Sequence, residues 1–191
     1  MLREVGREIL PQRTRFLIKK FYFSVVDCLL GRGEAAEALC PPRSLNFAGG
    51  GDYRAIGEEF LGHFIQLAGL EPQARIVDVG CGVGRMAVPL SGFLSSSARY
   101  EGFDVVREGI DWCVSNISTR YPNFRFQHAD IYNRNYNPRG KLSPAEFRFP
   151  YPDAGFDLAI LTSVFTHMLP PHIEHYLDEL SRILRPGGRA Q

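Results

Sequence analysis

The chain has few cysteines, almost no net charge, no long uncharged apolar run and no internal repeat, and each shortage removes a class of protein. Its four cysteines, Cys28, Cys40, Cys81 and Cys113, form no C-x-x-C pair. That pattern fits neither a thiolate zinc site nor a disulfide framework, and it suits a reducing, cytoplasmic setting. A formal net charge of +1 over 191 residues lacks the basic excess of a broad nucleic-acid surface, so no nucleic-acid partner is expected. The most apolar stretch, residues 16–30 (FLIKKFYFSVVDCLL), is broken by Lys19, Lys20 and Asp27, whereas a spanning helix needs roughly 20 nearly uncharged residues. No small-residue cleavage site follows it, which argues against a secretory signal.

What is present is enough apolar material, 45% of the chain, for one good-sized core. Residues 1–50 read as a helical N-terminal extension and residues 51–191 as the main domain. Residues 1–20 carry Arg3, Arg7, Arg13, Arg15, Lys19 and Lys20 against Glu4 and Glu8. A basic segment leading into an apolar helix allows a weak membrane-surface contact through residues 1–31, although packing on the domain or over its active site is the plainer reading. Glu34–Leu39 reads as a short helical piece, and 43–51 as a loop. Asp52 can cap a helix over 53–68 that stops at Gly69.

From residue 75 onward strands and helices alternate. Strands are expected at 75–79, 99–103, 124–128 and 156–161, with helices over about 85–95, 107–120 and 171–184 and a long loop over 132–155. The last helix places Ile173, Tyr176, Leu177, Leu180, Ile183 and Leu184 on one stripe. Such alternation predicts an α/β, Rossmann-like, mostly parallel sheet with helices on both faces.

The stretch IVDVGCGVGR, residues 76–85, is an apolar strand running into closely spaced glycines. A dinucleotide loop wants G-x-G-x-x-G, but counting from Gly80 the third position is Arg85. The glycines present are Gly80, Gly82 and Gly84, with Asp78 two residues ahead. A carboxylate there repels a pyrophosphate and suits a cationic ligand. S-adenosylmethionine, with an ammonium, a sulfonium and no phosphate, fits better than NAD.

Asp78-x-Gly80-x-Gly82-x-Gly84 resembles motif I of the class I S-adenosylmethionine-dependent methyltransferases, and further segments match in order over roughly 53–191. Asp104 ends the second strand, where the resemblance implies a bond to the ribose hydroxyls, with Val105 beside it. Asp130 and Ile131 follow the third strand, where it implies contact with adenine. Residues 149–157 (FPYPDAGFD) resemble the loop before the fourth strand, and 184–188 (LRPGG) the turn into the fifth. Cys81 is expected to meet the cofactor through its backbone, and Thr162 and Ser163 to lie near its methionine part. Asp157 is expected to be structural.

The resemblance implies a methyl transfer to a small-molecule or other non-nucleic-acid acceptor. The step is an in-line displacement in which the protein chiefly positions the acceptor. His167 is the candidate base, needed only if the acceptor must lose a proton. No metal is expected: His167, His172 and His175 lack a firm third ligand spacing. With the chain ending just after Pro-Gly-Gly, four strands of the family's usual seven are expected. The fourth would then be an exposed apolar edge in a C-terminally incomplete domain that binds the donor weakly. A binding but inactive module and an NAD(P) oxidoreductase are the alternatives.

Overall fold

The computed structural model describes residues 12–30, 39–46 and 51–191. Residues 34–38 of the helical piece expected at 34–39, the middle of the 43–51 loop and the basic residues before 12 lie outside them; Leu39 is a turn residue with φ 54°.

The described chain folds as α1 (Gln12–Leu30), α2 (Tyr53–Ala68), β1 (Arg75–Val79), α3 (Ala87–Phe93), β2 (Arg99–Asp104), α4 (Arg107–Cys113), β3 (Phe124–His128), β4 (Phe156–Ile160), α5 (Pro170–Ile183) and β5 (Leu184–Ala190). The strands form one parallel sheet in the order β3-β2-β1-β4-β5. Residues alternate across it. Ile76, Tyr100, Leu158 and Ile160 enter a core with Phe64 of α2, Leu90 of α3 and Cys113 of α4. On the other face Val77, Val79, Phe103 and Ala159 pack with Tyr176, Leu180 and Ile183 of α5. Apolar residues on both faces are what a parallel sheet covered on both sides requires.

The helix signals act as their chemistry dictates. Asp52 accepts from the backbone of Arg54 at 2.9 Å and Ala55 at 2.8 Å, and Gly69 closes α2 in a left-handed conformation, φ 65°. Two differences from expectation concern helices. The helix expected over 107–120 loosens after Cys113 into a π turn, Val114–Ser118, which carries Ile117 against Gly84. On α5, Leu177 remains half exposed, so the buried stripe is narrower than its apolar sequence.

The larger correction is the fifth strand. LRPGGRA reads as a turn because proline lacks a donor and glycine is a weak strand former. The chain resolves this with a bulge: Phe156 pairs with Leu184, then Leu158 with Arg189 and Ala159 with Ala190. Pro186, Gly187 and Gly188 bow out between those pairs, with Gly187 at φ 80°. β4 is therefore an interior strand, not the apolar edge expected. Asp157, as expected, is structural. It accepts from the Arg75 backbone at 2.6 Å and also pairs with the guanidinium groups of Arg75 and Arg185. Burial pushes its carboxyl up, but these bonds and charges outweigh it and hold the pKa below the usual range.

The segment before β4 is tied to α5 by Arg182. Its guanidinium donates to both Glu179 oxygens at 2.9 and 2.6 Å, to the Phe149 carbonyl at 3.0 Å, and to the Tyr151 carbonyl and Asp153 at 2.8 Å each. Glu179 in turn accepts from the Phe149 backbone at 2.7 Å. Removing one partner of a largely buried pair strands the other. Arg182→Ala is expected to lower unfolding free energy by about 3 kcal/mol, read from urea denaturation. Arg182→Lys should recover only part, having no planar fork to span these acceptors.

Candidate cofactor and acceptor cleft

β1 lies between β2 and β4, so the crossovers leave it in opposite directions, and ligands of open α/β sheets settle at the carboxyl ends of strands at such a switch. A cleft of about 1010 Å³ opens there. Its lining includes Asp78, Gly80, Cys81 and Gly82 from β1 and its loop, Asp104 and Val105 after β2, Ile131 after β3, and Thr162 and Ser163 after β4.

The loop turns on its glycines. Gly80, Gly82 and Gly84 all have positive φ, at 76°, 57° and 73°, a region that costs other residues roughly 1–2 kcal/mol. A methyl on Gly80 would lie 2.8 Å from Val164, and one on Gly84 2.6 Å from Ile117. At Gly82 it would meet nothing within 4 Å: this glycine faces the open cleft. Its N–H donates to Asp104 Oδ2 at 2.9 Å, while Val106 N–H donates to Oδ1 at 2.7 Å. Asp104 is thus fixed at the cleft wall by the loop it faces. Burial pushes its carboxyl up, opposed by these backbone bonds.

Asp78 is buried at 1% exposure and accepts from the Tyr100 hydroxyl at 2.5 Å. Burial raises its pKa to about 7, with the Tyr100 bond lowering it and the Asp104 charge raising it. A cation in the cleft would favour the ionised form that burial disfavours. Burial likewise raises the Cys81 thiol far above its usual range. That thiol lies against Gly102 of β2, where an added methyl would sit 3.0 Å from Sγ. Cys81 is a packing group, not a nucleophile.

Asp130 departs from expectation. Its carboxylate accepts from Asn137 Nδ2 at 3.1 Å and its carbonyl from the backbones of Lys141 and Leu142 at 2.9 Å each. It anchors the 131–142 segment and does not line the cleft, although Ile131 does. The reason is the loop itself, which pairs Ile131 with Leu142 and Asn133 with Asn137, order that its Asn- and Pro-rich sequence conceals. Ser163 lines the cleft with φ 62°, and its carbonyl accepts from Thr166 Oγ1 at 2.8 Å. His167 ends a short 3₁₀ turn, Phe165–His167; its side chain lies outside the described residues.

Several cleft residues were missed in the sequence: Lys19, Asn46, Arg85, His172 and Tyr176; Tyr132, Arg134 and Tyr136, from the locally basic loop after β3, line the cleft as well. His172 and Tyr176 carried a signal, being four apart on one helix and so on one face. His175 instead bonds the Phe147 carbonyl at 3.0 Å. No group of three or more metal-ligating side chains occurs among the described residues.

Sheet order, glycine loop and paired carboxylates define a Rossmann-like methyltransferase fold of class I. A family model described as a methyltransferase domain matches residues 76–188, and the chain belongs to that family, whose cofactor is S-adenosylmethionine. It is similar to a sterol 24-C-methyltransferase of Gibberella zeae, 29% identical over 140 residues, which are 71% of this chain and 31% of that protein. It is also similar to a tRNA N(3)-cytidine methyltransferase of Gallus gallus, 32% identical over 118 residues, 60% of this chain and 28% of that one. The chain thus spans about a third of the length of these relatives. The PH0226 protein of Pyrococcus horikoshii OT3 shares the fold, with a TM-score of 0.56 at 18% identity over 74% of this chain and 57% of that one.

Proposed function

We propose that the chain transfers a methyl group from S-adenosylmethionine to a small-molecule acceptor. The observation that carries this is the pair of buried carboxylates, Asp78 and Asp104, on either side of a glycine loop whose central residue faces open space. This arrangement fits a cationic adenosyl ligand and opposes a diphosphate. In this reading Asp104 takes the ribose hydroxyls while Gly82 and Val106 hold it in place. Asp78 faces the ammonium, and Val105 and Ile131 flank the adenine. Asp130 would have to leave Asn137 to reach the adenine amino group. Thr162 and Ser163 border the methionine part. Residues 1–50 act as an extension that borders the cleft through Lys19 and Asn46.

The cofactor supplies a methyl on a sulfonium, whose leaving group needs no acid. What the chain must do is exclude water and hold the acceptor in line. Val164, Met168, Leu169 and Tyr176, with Tyr132 and Tyr136, give the cleft apolar and aromatic surface suited to an organic acceptor. His172 and, by position, His167 are the candidate bases for an acceptor that must lose a proton. The near-zero net charge supports a non-nucleic-acid acceptor, although two relatives are tRNA methyltransferases.

The test is crosslinking with methyl-tritiated S-adenosylmethionine beside a fluorescence titration with NADH, followed by an acceptor screen. Label should crosslink to the protein and be competed by S-adenosylhomocysteine, and without crosslinking the tritiated methyl should appear on a small acceptor. Firm NADH binding with no labelling would overturn the assignment.

A further inference from the structure

The carboxylates of the cleft stand at the strand ends, and a different charge stands toward α1. Lys19 Nζ donates to the Asn46 carbonyl at 3.3 Å, and Arg85 Nη2 donates to Asn46 Oδ1 at 2.8 Å. All three residues line the cleft. Arg85 also lies over the Tyr53 ring, 5.7 Å from its centroid, and Tyr53 is fixed by its hydroxyl bond to the Val83 carbonyl at 2.8 Å. Two cations are therefore gathered about one asparagine on the edge of the glycine loop. Desolvation first, and then the Arg85 charge, lower the pKa of the Lys19 ammonium. Like charges held together while losing water are what an anion between them would relieve.

We infer that Lys19, Asn46 and Arg85 form an anion subsite at the α1 side of the cleft, built for a carboxylate or phosphate group. Two sources offer that chemistry: the α-carboxylate of the donor, and an acidic group on the acceptor. The donor arm rests on the cofactor reading above; the acceptor arm does not. α1 is held to the domain directly through Lys20 and to the 39–46 segment through Lys19 and Asp27. The bonds are Lys19 on Asn46, Lys20 on Glu108 at 2.9 Å, and Asp27 accepting from the Ser44 backbone at 3.0 Å. The helix thus delivers a ligand-facing lysine from outside the region matched by the family model.

Calorimetry on the full chain, wild type, Lys19→Gln and Arg85→Gln, separates the sources. The probes are S-adenosylmethionine, decarboxylated S-adenosylmethionine and inorganic pyrophosphate. If the donor supplies the anion, wild type binds the carboxylated donor at least roughly tenfold more tightly than the decarboxylated one, and each variant erases that preference. If the acceptor supplies it, wild type shows no such preference. Pyrophosphate then binds the donor-loaded protein, and each variant weakens it roughly tenfold. Variants that melt as wild type does and bind all three probes unchanged overturn the subsite. Should no donor bind even wild type, the cofactor reading fails by itself. Pyrophosphate binding lost in Lys19→Gln still supports the subsite, and binding unchanged there sinks it.

Discussion

Asp78→Asn is expected to make the free protein more stable and to weaken donor binding at least roughly 100-fold. In the free fold Asp78 has a pKa of about 7 against an ordinary 3.8, raised first by burial. A carboxyl whose folded pKa is raised binds its proton more tightly when folded. Its stabilising contribution is complete below the unfolded value, about pH 4, and is lost as pH rises to about 7. A shift of about three pH units corresponds to on the order of 4 kcal/mol, a cost that an uncharged amide never incurs. The Tyr100 hydroxyl can donate to the carbonyl oxygen of the substituted amide as it does to the carboxylate. The melting temperature of the variant at about pH 8 should therefore exceed that of wild type, and the gap should close by about pH 4.

Donor binding should move the other way. A cation facing Asp78 needs the ionised form, so below about pH 7 binding must first release a proton. Wild-type affinity should fall up to about tenfold per pH unit there and be greatest near about pH 7–8, where Asp78 is ionised and the α-ammonium of the donor still holds its proton. The Asp78→Asn variant should bind at least roughly 100-fold more weakly at about pH 8, as expected for an ammonium that loses its charge-assisted partner in a buried site. It should show no pH slope from this group. A variant that binds normally, or keeps the slope, would place the ammonium elsewhere.

The residues that were legible in the sequence share one property: their role is fixed by neighbours close along the chain. Gly80, Gly82 and Gly84 need their conformations because a strand turns into a helix within a few residues. Asp52 and Gly69 cap a helix locally. β1 to β4 stood out as short apolar runs between breakers. β5 did not, because its pairing with β4 depends on a bulge that no local propensity encodes. The partner that Asp130 takes was illegible for a related reason. The residue's position after β3 is local, but its side-chain direction is set by Asn137, seven residues on in a loop without periodicity. Lys19, Asn46 and Arg85 meet only in three dimensions, with 27 residues separating the first pair and 39 the second. In sequence a lysine inside an apolar helix reads as an interruption of a membrane span, and its place on a cleft is invisible.

The glycine loop allows a sharper separation of fold from function, since adjacent members of one motif should fail in different ways. Gly84→Ala puts a methyl 2.6 Å from Ile117 Cδ1 and 3.2 Å from Cys113 Sγ, at φ 73°. Both neighbours are fully buried, in a close-packed interior that yields little. Overpacking and backbone strain together should cost about 2–4 kcal/mol, seen as a lower urea midpoint with the m-value unchanged. Gly82→Ala has the same left-handed strain, φ 57°, but its methyl meets no atom within 4 Å. Its stability loss should stay near about 1–2 kcal/mol. The methyl enters the cleft beside Asp104, where Gly82 N–H holds the carboxylate at 2.9 Å. Donor affinity should fall at least roughly 100-fold, because a close backbone approach is replaced by a clash and the carboxylate is displaced. Gly82→Ala should therefore fold and fail to bind. Gly84→Ala, assayed at a temperature where it remains folded, should keep donor affinity within about tenfold of wild type. The reverse pattern would mean that the ligand lies on the Ile117 side of the loop and that the open space at Gly82 is not its seat.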